Sequence, residues 1–107
     1  MAFDCTFDMK GSVAHLVVSG ELDAASAQLF RARIEEAAKA QCTRLVLFMS
    51  ELEYMASAGL RVLVFAKQKM STDVDMYMVG VREEVLDTIT MTGVDKSVVI
   101  VDKYEDD

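Results

Sequence analysis

The sequence predicts an α/β domain, and three patterns carry that prediction. Residues 3–9 alternate, with Phe3, Cys5, Phe7 and Met9 apolar and Asp4, Thr6 and Asp8 polar, the signature of a strand with one buried face. Leu45-Val46-Leu47-Phe48-Met49 is an unbroken apolar run. It is too short for a lone helix and suits a strand that is covered on both sides or paired in parallel. Residues 60–70 contain neither Gly nor Pro, and their apolar positions return at helical spacing. Taken along the chain, the elements follow the order β-β-α-β-α-β-α-β. A hairpin is succeeded by strands that helices connect, with right-handed crossovers wherever neighbouring strands are parallel. A sheet this small is expected to hold its helices mainly on one face and leave the other partly exposed.

Each element has its own warrant. Lys10-Gly11 offers a turn, and residues 12–19 read as the hairpin partner, with Ala14, Leu16 and Val18 on one face and His15 inside the run. Gly20-Glu21-Leu22-Asp23 is expected to break that strand. Asp23 can then cap a helix over 24–40, where its charge complements the helix dipole. Ala27, Phe30, Ile34 and Ala37 form one stripe of this helix, and Gln28, Arg31, Glu35 and Lys39 lie away from it. The next strand covers 43–49.

Ser57 then stands where a strand-derived loop turns into a helix. Its hydroxyl can cap the first turn, or the free donors and partial positive charge there can receive a phosphate, or both. In the helix that follows, Leu60, Leu63, Val64, Ala66 and Met70 share one broad side, opposite Arg61, Gln68 and Lys69. Val62 and Phe65 project toward the polar side. Either neighbouring loops cover them or they belong to a partner-binding patch. Val74, Met76 and Met78 alternate with Asp75 and Tyr77 as a strand that Gly80 ends. Residues 82–92 form a short helix with Val85, Leu86 and Ile89 inward and Gly93 as its C-terminal cap. Residues 97–101 make the last strand, and 102–107 an acidic, solvated tail of what reads as a single domain over 1–107.

Composition excludes several functions. The net charge of −7 on 107 residues argues against non-specific nucleic-acid binding and against attraction to an anionic membrane. No segment reaches the roughly 20 apolar residues of a membrane span. The first residues lack the basic start and apolar core of a signal peptide, so a cytoplasmic location is expected. Cys5 and Cys42 have neither metal-ligand spacing nor a CxxC pattern and are expected as free thiols. With His15 the only histidine, neither a metal site, a cofactor nor a cysteine–histidine pair is expected. Catalysis by Ser57 as a nucleophile is not expected either, because its loop holds no histidine or lysine to act as base.

The ordered set Gly20-Glu21-Leu22-Asp23-Ala24-Ala25, the strand 45–49, Ser50-x-Leu52-x-Tyr54-Met55-x-Ser57-x-Gly59-Leu60-x-Val62-Leu63, and the late Val85-Leu86 and Thr92-Gly93-Val94 resembles the STAS domain. Within that family it is most similar to the bacterial anti-sigma factor antagonists, over essentially the whole chain. The resemblance implies a mixed sheet and a partner switch. An anti-sigma factor that is also a serine kinase would bind the unphosphorylated chain, release its sigma factor and phosphorylate Ser57; a serine phosphatase would reset the switch. It implies a docking edge built from Asp23, Phe65 and the run Tyr54, Met55, Ala56, Ser57, Ala58, Gly59, Leu60, Arg61 and Val62. A weak homodimer is compatible with it. The alternative is a STAS interaction module in a transport or other signalling assembly that is not phosphorylated. The chain departs from the family pattern at Ala56, where Asp is usual, at Ala58, where Ser is common, and at Phe48, where Asp is common.

Overall fold

The apolar alternation of the first two strands closes an antiparallel hairpin, and everything after it pairs in parallel. The computed structural model describes residues 2–70 and 73–105. Its elements are β1 (Asp4–Lys10), β2 (Val13–Leu22), α1 (Ala27–Lys39), β3 (Arg44–Met55), α2 (Ser57–Lys69), β4 (Asp75–Val79), α3 (Glu83–Thr90) and β5 (Val99–Val101), with a 3-10 turn over Val94–Ser97 before β5. The sheet order is β1-β2-β3-β4-β5. Only the β1–β2 pair is antiparallel, so the sheet is mixed as expected.

Pleating divides the sheet into two unlike faces. Leu16, Leu47 and Met78 lie in register on one face and are fully buried. They share one core with Phe30 and Ile34 of α1, Leu63 and Ala66 of α2, and Val85 and Ile89 of α3. All three helices therefore cover the same face. The apolar stripe expected of α1 is the buried set observed: Ala27, Phe30, Ile34 and Ala37.

Among the described residues the opposite face carries no helix. His15, Val46 and Tyr77 lie in register there, with Val17 and Phe48 in the neighbouring row. Tyr104 comes back over it, its ring 5.5 Å from Tyr77, 6.0 Å from His15 and 6.1 Å from Phe48. An Arg44 Nη donates to the Tyr104 hydroxyl at 3.2 Å. The segment read as a solvated tail thus places one aromatic side chain on the sheet, because burying a ring against three others outweighs leaving it in water. The tail's last two residues, 106 and 107, lie outside the described residues, as does Met1.

Several element boundaries differ from the sequence reading. Gly20-Glu21-Leu22 does not break β2. The strand runs on to Leu22, with register shifts at Val17/Ser19 and Gly20/Glu21, and Gly20 takes φ +83°, a backbone conformation open to glycine. Residues 24–26 form a turn, so α1 begins at Ala27. β3 extends to Met55, six residues beyond the expected end at Met49. Ser97 belongs to the 3-10 turn, so β5 begins at Val99. Gly93, at φ +81°, opens that turn and stands beyond the C-cap of α3, which is Met91.

Candidate docking edge

The site grows from the unequal lengths of β3 and β4. Pairing of β3 with β4 stops at Phe48 and Val79, while pairing of β3 with β2 continues to Leu22 and Met55. The last turn of β3 therefore projects past the sheet with β2 on one side. Ala56 closes this projection by donating its N–H to the Leu22 carbonyl at 2.8 Å. The chain then enters α2 at once.

Ser57 is the first helical residue, not the cap. Ala56 occupies the cap position, extended at φ −81° and ψ 169°, and its carbonyl accepts the Leu60 N–H at 3.2 Å. Of the roles left open for Ser57, capping by its own hydroxyl does not hold: strand pairing keeps the chain extended through Ala56, so the helix begins with Ser57 itself. Alanine offers no side-chain acceptor, so the first turn of α2 has no side-chain cap. Ser57 is exposed, and among the described residues its hydroxyl has no hydrogen-bond partner.

The end of β2 sets the position of α2. A Cβ at Gly59 would fall 2.6 Å from both Cγ and Cδ2 of Leu22 and 3.2 Å from Cγ of Met55. The absent side chain lets the helix lie directly on the strand ends. Leu22 and Met55 are buried beneath it. Immediately after Leu22, Asp23 is exposed and folded back on Ser26: its Oδ1 accepts from the Ser26 N–H and hydroxyl at 2.9 Å each, and Ser26 Oγ accepts from the Asp23 N–H at 2.9 Å. These bonds, led by the one from the Ser26 N–H, hold the Asp23 carboxyl below the usual aspartate range.

The sequence-derived residues separate by burial. Tyr54 (51% exposed), Ser57 and Arg61 stand at the surface, and Ala56, Ala58, Leu60 and Phe65 are partly covered. Met55, Gly59 and Val62 are buried. The placement of Val62 on the polar side is corrected: α2 packs against α1, which covers that edge. Phe65 stays partly open, with the Arg31 guanidinium 4.0 Å from its ring centroid. Between the two helices lies a notch of about 220 Å³ lined by Ala27, Gln28 and Arg31 of α1 and by Ala58, Arg61, Val62 and Phe65 of α2. Periodicity places Gln28 and Arg31 away from the apolar stripe of α1. Only the adjacency of the helices reveals what they border.

Other reactive groups stand apart from this edge. Burial pushes the Cys5 thiol up to about 12 and raises Cys42 as well, so neither is a thiolate near neutral pH. His15 lies on the helix-free face, across the sheet from α2. Among the described residues no helix is long and apolar enough to cross a membrane, and no three His, Cys, Asp or Glu side chains are grouped to hold a metal ion.

Comparison with known proteins places this arrangement. The family model described as STAS domain matches residues 6–106. No curated protein sequence gives a significant match. Among solved structures, an anti-sigma factor antagonist from Mycobacterium paratuberculosis superposes with a TM-score of 0.86 at 23% identity, covering 95% of this chain and 87% of that one. A putative anti-sigma factor antagonist from Thermotoga maritima gives 0.81 at 23% identity, covering 92% and 86%. The anti-sigma factor antagonist SpoIIAA in its unphosphorylated form gives 0.77 at 16% identity, covering 91% and 87%. The Bacillus protein is also known in its phosphorylated form, which gives 0.69 at 16% identity, covering 92% and 90%.

Proposed function

The chain belongs to the STAS-domain family, a family of regulatory binding domains rather than enzymes, and from that premise we propose that it is an anti-sigma factor antagonist whose docking edge is switched at Ser57. The observation that carries the reading is the exposed Ser57 at the first position of α2, on a strand end that β4 leaves uncovered. Its partner is an anti-sigma factor with serine-kinase activity, and a serine phosphatase restores the unmodified form. Both meet the chain in the cytoplasm. The known phosphorylated and unphosphorylated forms of SpoIIAA, a protein of the same fold, support the assignment.

The residues divide the work. Tyr54, Ala56, Ser57, Ala58, Leu60 and Arg61 meet the partner, with Phe65 and Asp23 at the two ends of the contact. Met55, Gly59 and Val62 hold that surface from beneath. A phosphate on Ser57 adds about −1.5 to −2 charges beside the exposed Glu51 and Glu53. Repulsion and the cost of stripping its hydration then oppose docking by a few kcal/mol, on the order of a hundredfold in affinity. The domain itself need not refold.

A phosphotransfer experiment tests this. The purified chain is incubated with ATP and each kinase-type anti-sigma factor encoded in its genome, and the modified residue is read by mass spectrometry. Phosphate on Ser57 that is absent from Ser57→Ala supports the switch. Equal labelling of Ser57→Ala removes Ser57 from it. Tight binding without any labelling moves the chain to the alternative of an unphosphorylated STAS interaction module.

A further inference from the structure

We propose that the notch between α1 and α2 is a carboxylate-recognition subsite, in which Arg31 and Arg61 receive an Asp or Glu side chain from the docking segment of the protein partner. The inference rests on the antagonist reading, since the partner is the same one, and it names the chemistry by which that partner is recognised.

Charge is the first argument. The chain carries 18 acidic residues against 11 basic ones, yet the residues lining the notch include two arginines and no acid. Gln28 adds an uncharged amide donor beside them. On a chain of net negative charge, a notch lined by two arginines attracts an acidic segment, and complementarity of that kind selects partner and register.

The state of the two arginines is the second argument. Arg31 is stacked on Phe65, which fixes the guanidinium plane before a partner arrives and reduces the ordering cost of a hydrogen bond to it. Glu35 pairs with its Nε at 3.5 Å, in an ion pair whose side chains are 56% and 42% exposed. An exposed contact of this type is weak and yields to a better-placed carboxylate. Arg61 has no ion-pair or hydrogen-bond partner among the described residues. Ala27 and Val62, each 7% exposed, form an apolar floor that excludes water on one side of an incoming group.

Position completes the case. Arg61 lies one helical turn after Ser57, on the same face of α2. A phosphate on Ser57 would draw Arg61 toward itself and away from the notch. Modification would thus remove an attraction as well as add a repulsion.

The test is a titration of the full chain with the anti-sigma factor that the phosphotransfer experiment identifies, followed by calorimetry at low and high salt. Circular dichroism checks that each variant is folded. Arg61→Glu and Arg31→Glu are each expected to weaken binding on the order of tenfold or more. Glu35→Gln, which removes the internal competitor, is expected to tighten it about twofold. A single Asp or Glu of the partner changed to Arg should reproduce the loss and restore binding to Arg61→Glu. If both arginine variants bind as the unmodified chain does while Ser57→Glu is weakened, the subsite is overturned and the antagonist reading stands. If the arginine variants weaken but no single partner carboxylate reproduces the loss, there is no discrete subsite. If no anti-sigma factor binds the unmodified chain, both fall together.

Discussion

Two helices start side by side at the same end of the sheet, and the chain enters them in different ways. Ahead of α1, Asp23 and Ser26 exchange hydrogen bonds, and the Ala27 N–H reaches the Asp23 carbonyl at 3.0 Å. Neither helix has a side-chain bond from its cap residue into its first turn, but ahead of α2 the chain is simply extended at Ala56, with no such side-chain exchange before it. The turn into α1 is closed by its own side chains and has a structural task. The start of α2 leaves its donors to whatever approaches, and it carries an exposed serine. An open helix start beside a closed one is the arrangement a modifiable surface requires, because a phosphate can arrive without displacing anything.

The contact that couples the two starts should be the most sensitive to change. Gly59 in the first turn of α2 lies against Leu22, the last residue of β2, which is fully buried and cannot swing aside. Gly59→Val adds three carbons where one already falls 2.6 Å from Leu22. It should cost about 3 kcal/mol through overpacking. Urea unfolding would show this as a lower midpoint with an unchanged slope, and an unshifted midpoint would mean that the helix start tolerates displacement from the strand ends.

Breaking the closed start should cost less. Ser26→Ala removes the two bonds made by the hydroxyl, from the Asp23 N–H and to Asp23 Oδ1, while the backbone N–H at position 26 keeps its bond to Oδ1, and it should lower stability by about 1 kcal/mol. The Asp23 half carries a pH signature. Its folded-state pKa is lowered, chiefly by the Ser26 N–H, so its contribution is fully present above the ordinary aspartate value. It is lost as the pH falls through the lowered one. The gap in melting temperature between the native chain and Asp23→Ala should therefore be complete at neutral pH and close in acid. A gap that stays constant down to acid pH would assign the effect to something other than the carboxylate.

These two starts also mark how far the sequence could be read. The stripe of α1 and the alternation of β1 are local patterns, and both were legible, as was the order of all eight elements. The far end of β3 was not. Ser50, Glu51 and Glu53 are exposed and polar, and only Leu52 and Met55 point inward, so the run reads as a loop until its parallel pairing with β2 is known. That pairing is non-local, and it is what makes Ala56 rather than Ser57 the cap. The burial of Val62 and the notch beside it depend likewise on α1 packing against α2. Tyr104 is the clearest case. A lone tyrosine among acidic residues gives no periodic signal, and its place over Tyr77 and Phe48 follows only from the finished sheet. Ser57 was found because a chemically special residue at a strand-to-helix junction is visible in one dimension.

Closing the open start is the converse experiment and should have a smaller effect of opposite sign. Ala56 already has the extended backbone that a cap requires, so Ala56→Asp should add about 0.5 to 1 kcal/mol of stability without moving the chain. An increase in melting temperature would show that the first turn of α2 lacks only a side chain. No increase would mean that its donors are already satisfied in solution.

The smallest effect is expected at the residue of greatest interest. Ser57 is exposed, makes no hydrogen bond through its hydroxyl among the described residues, and sits one position inside the helix, where alanine is the better helix former. Ser57→Ala should therefore change stability by less than about 0.5 kcal/mol. Had the hydroxyl been the cap, the same substitution would cost about 1 kcal/mol, as Ser26→Ala should. Thermal unfolding of the two variants side by side separates these cases. A neutral Ser57→Ala beside a destabilised Ser26→Ala would mean that folding does not require the hydroxyl at position 57, and would leave modification as the reason to look for its use.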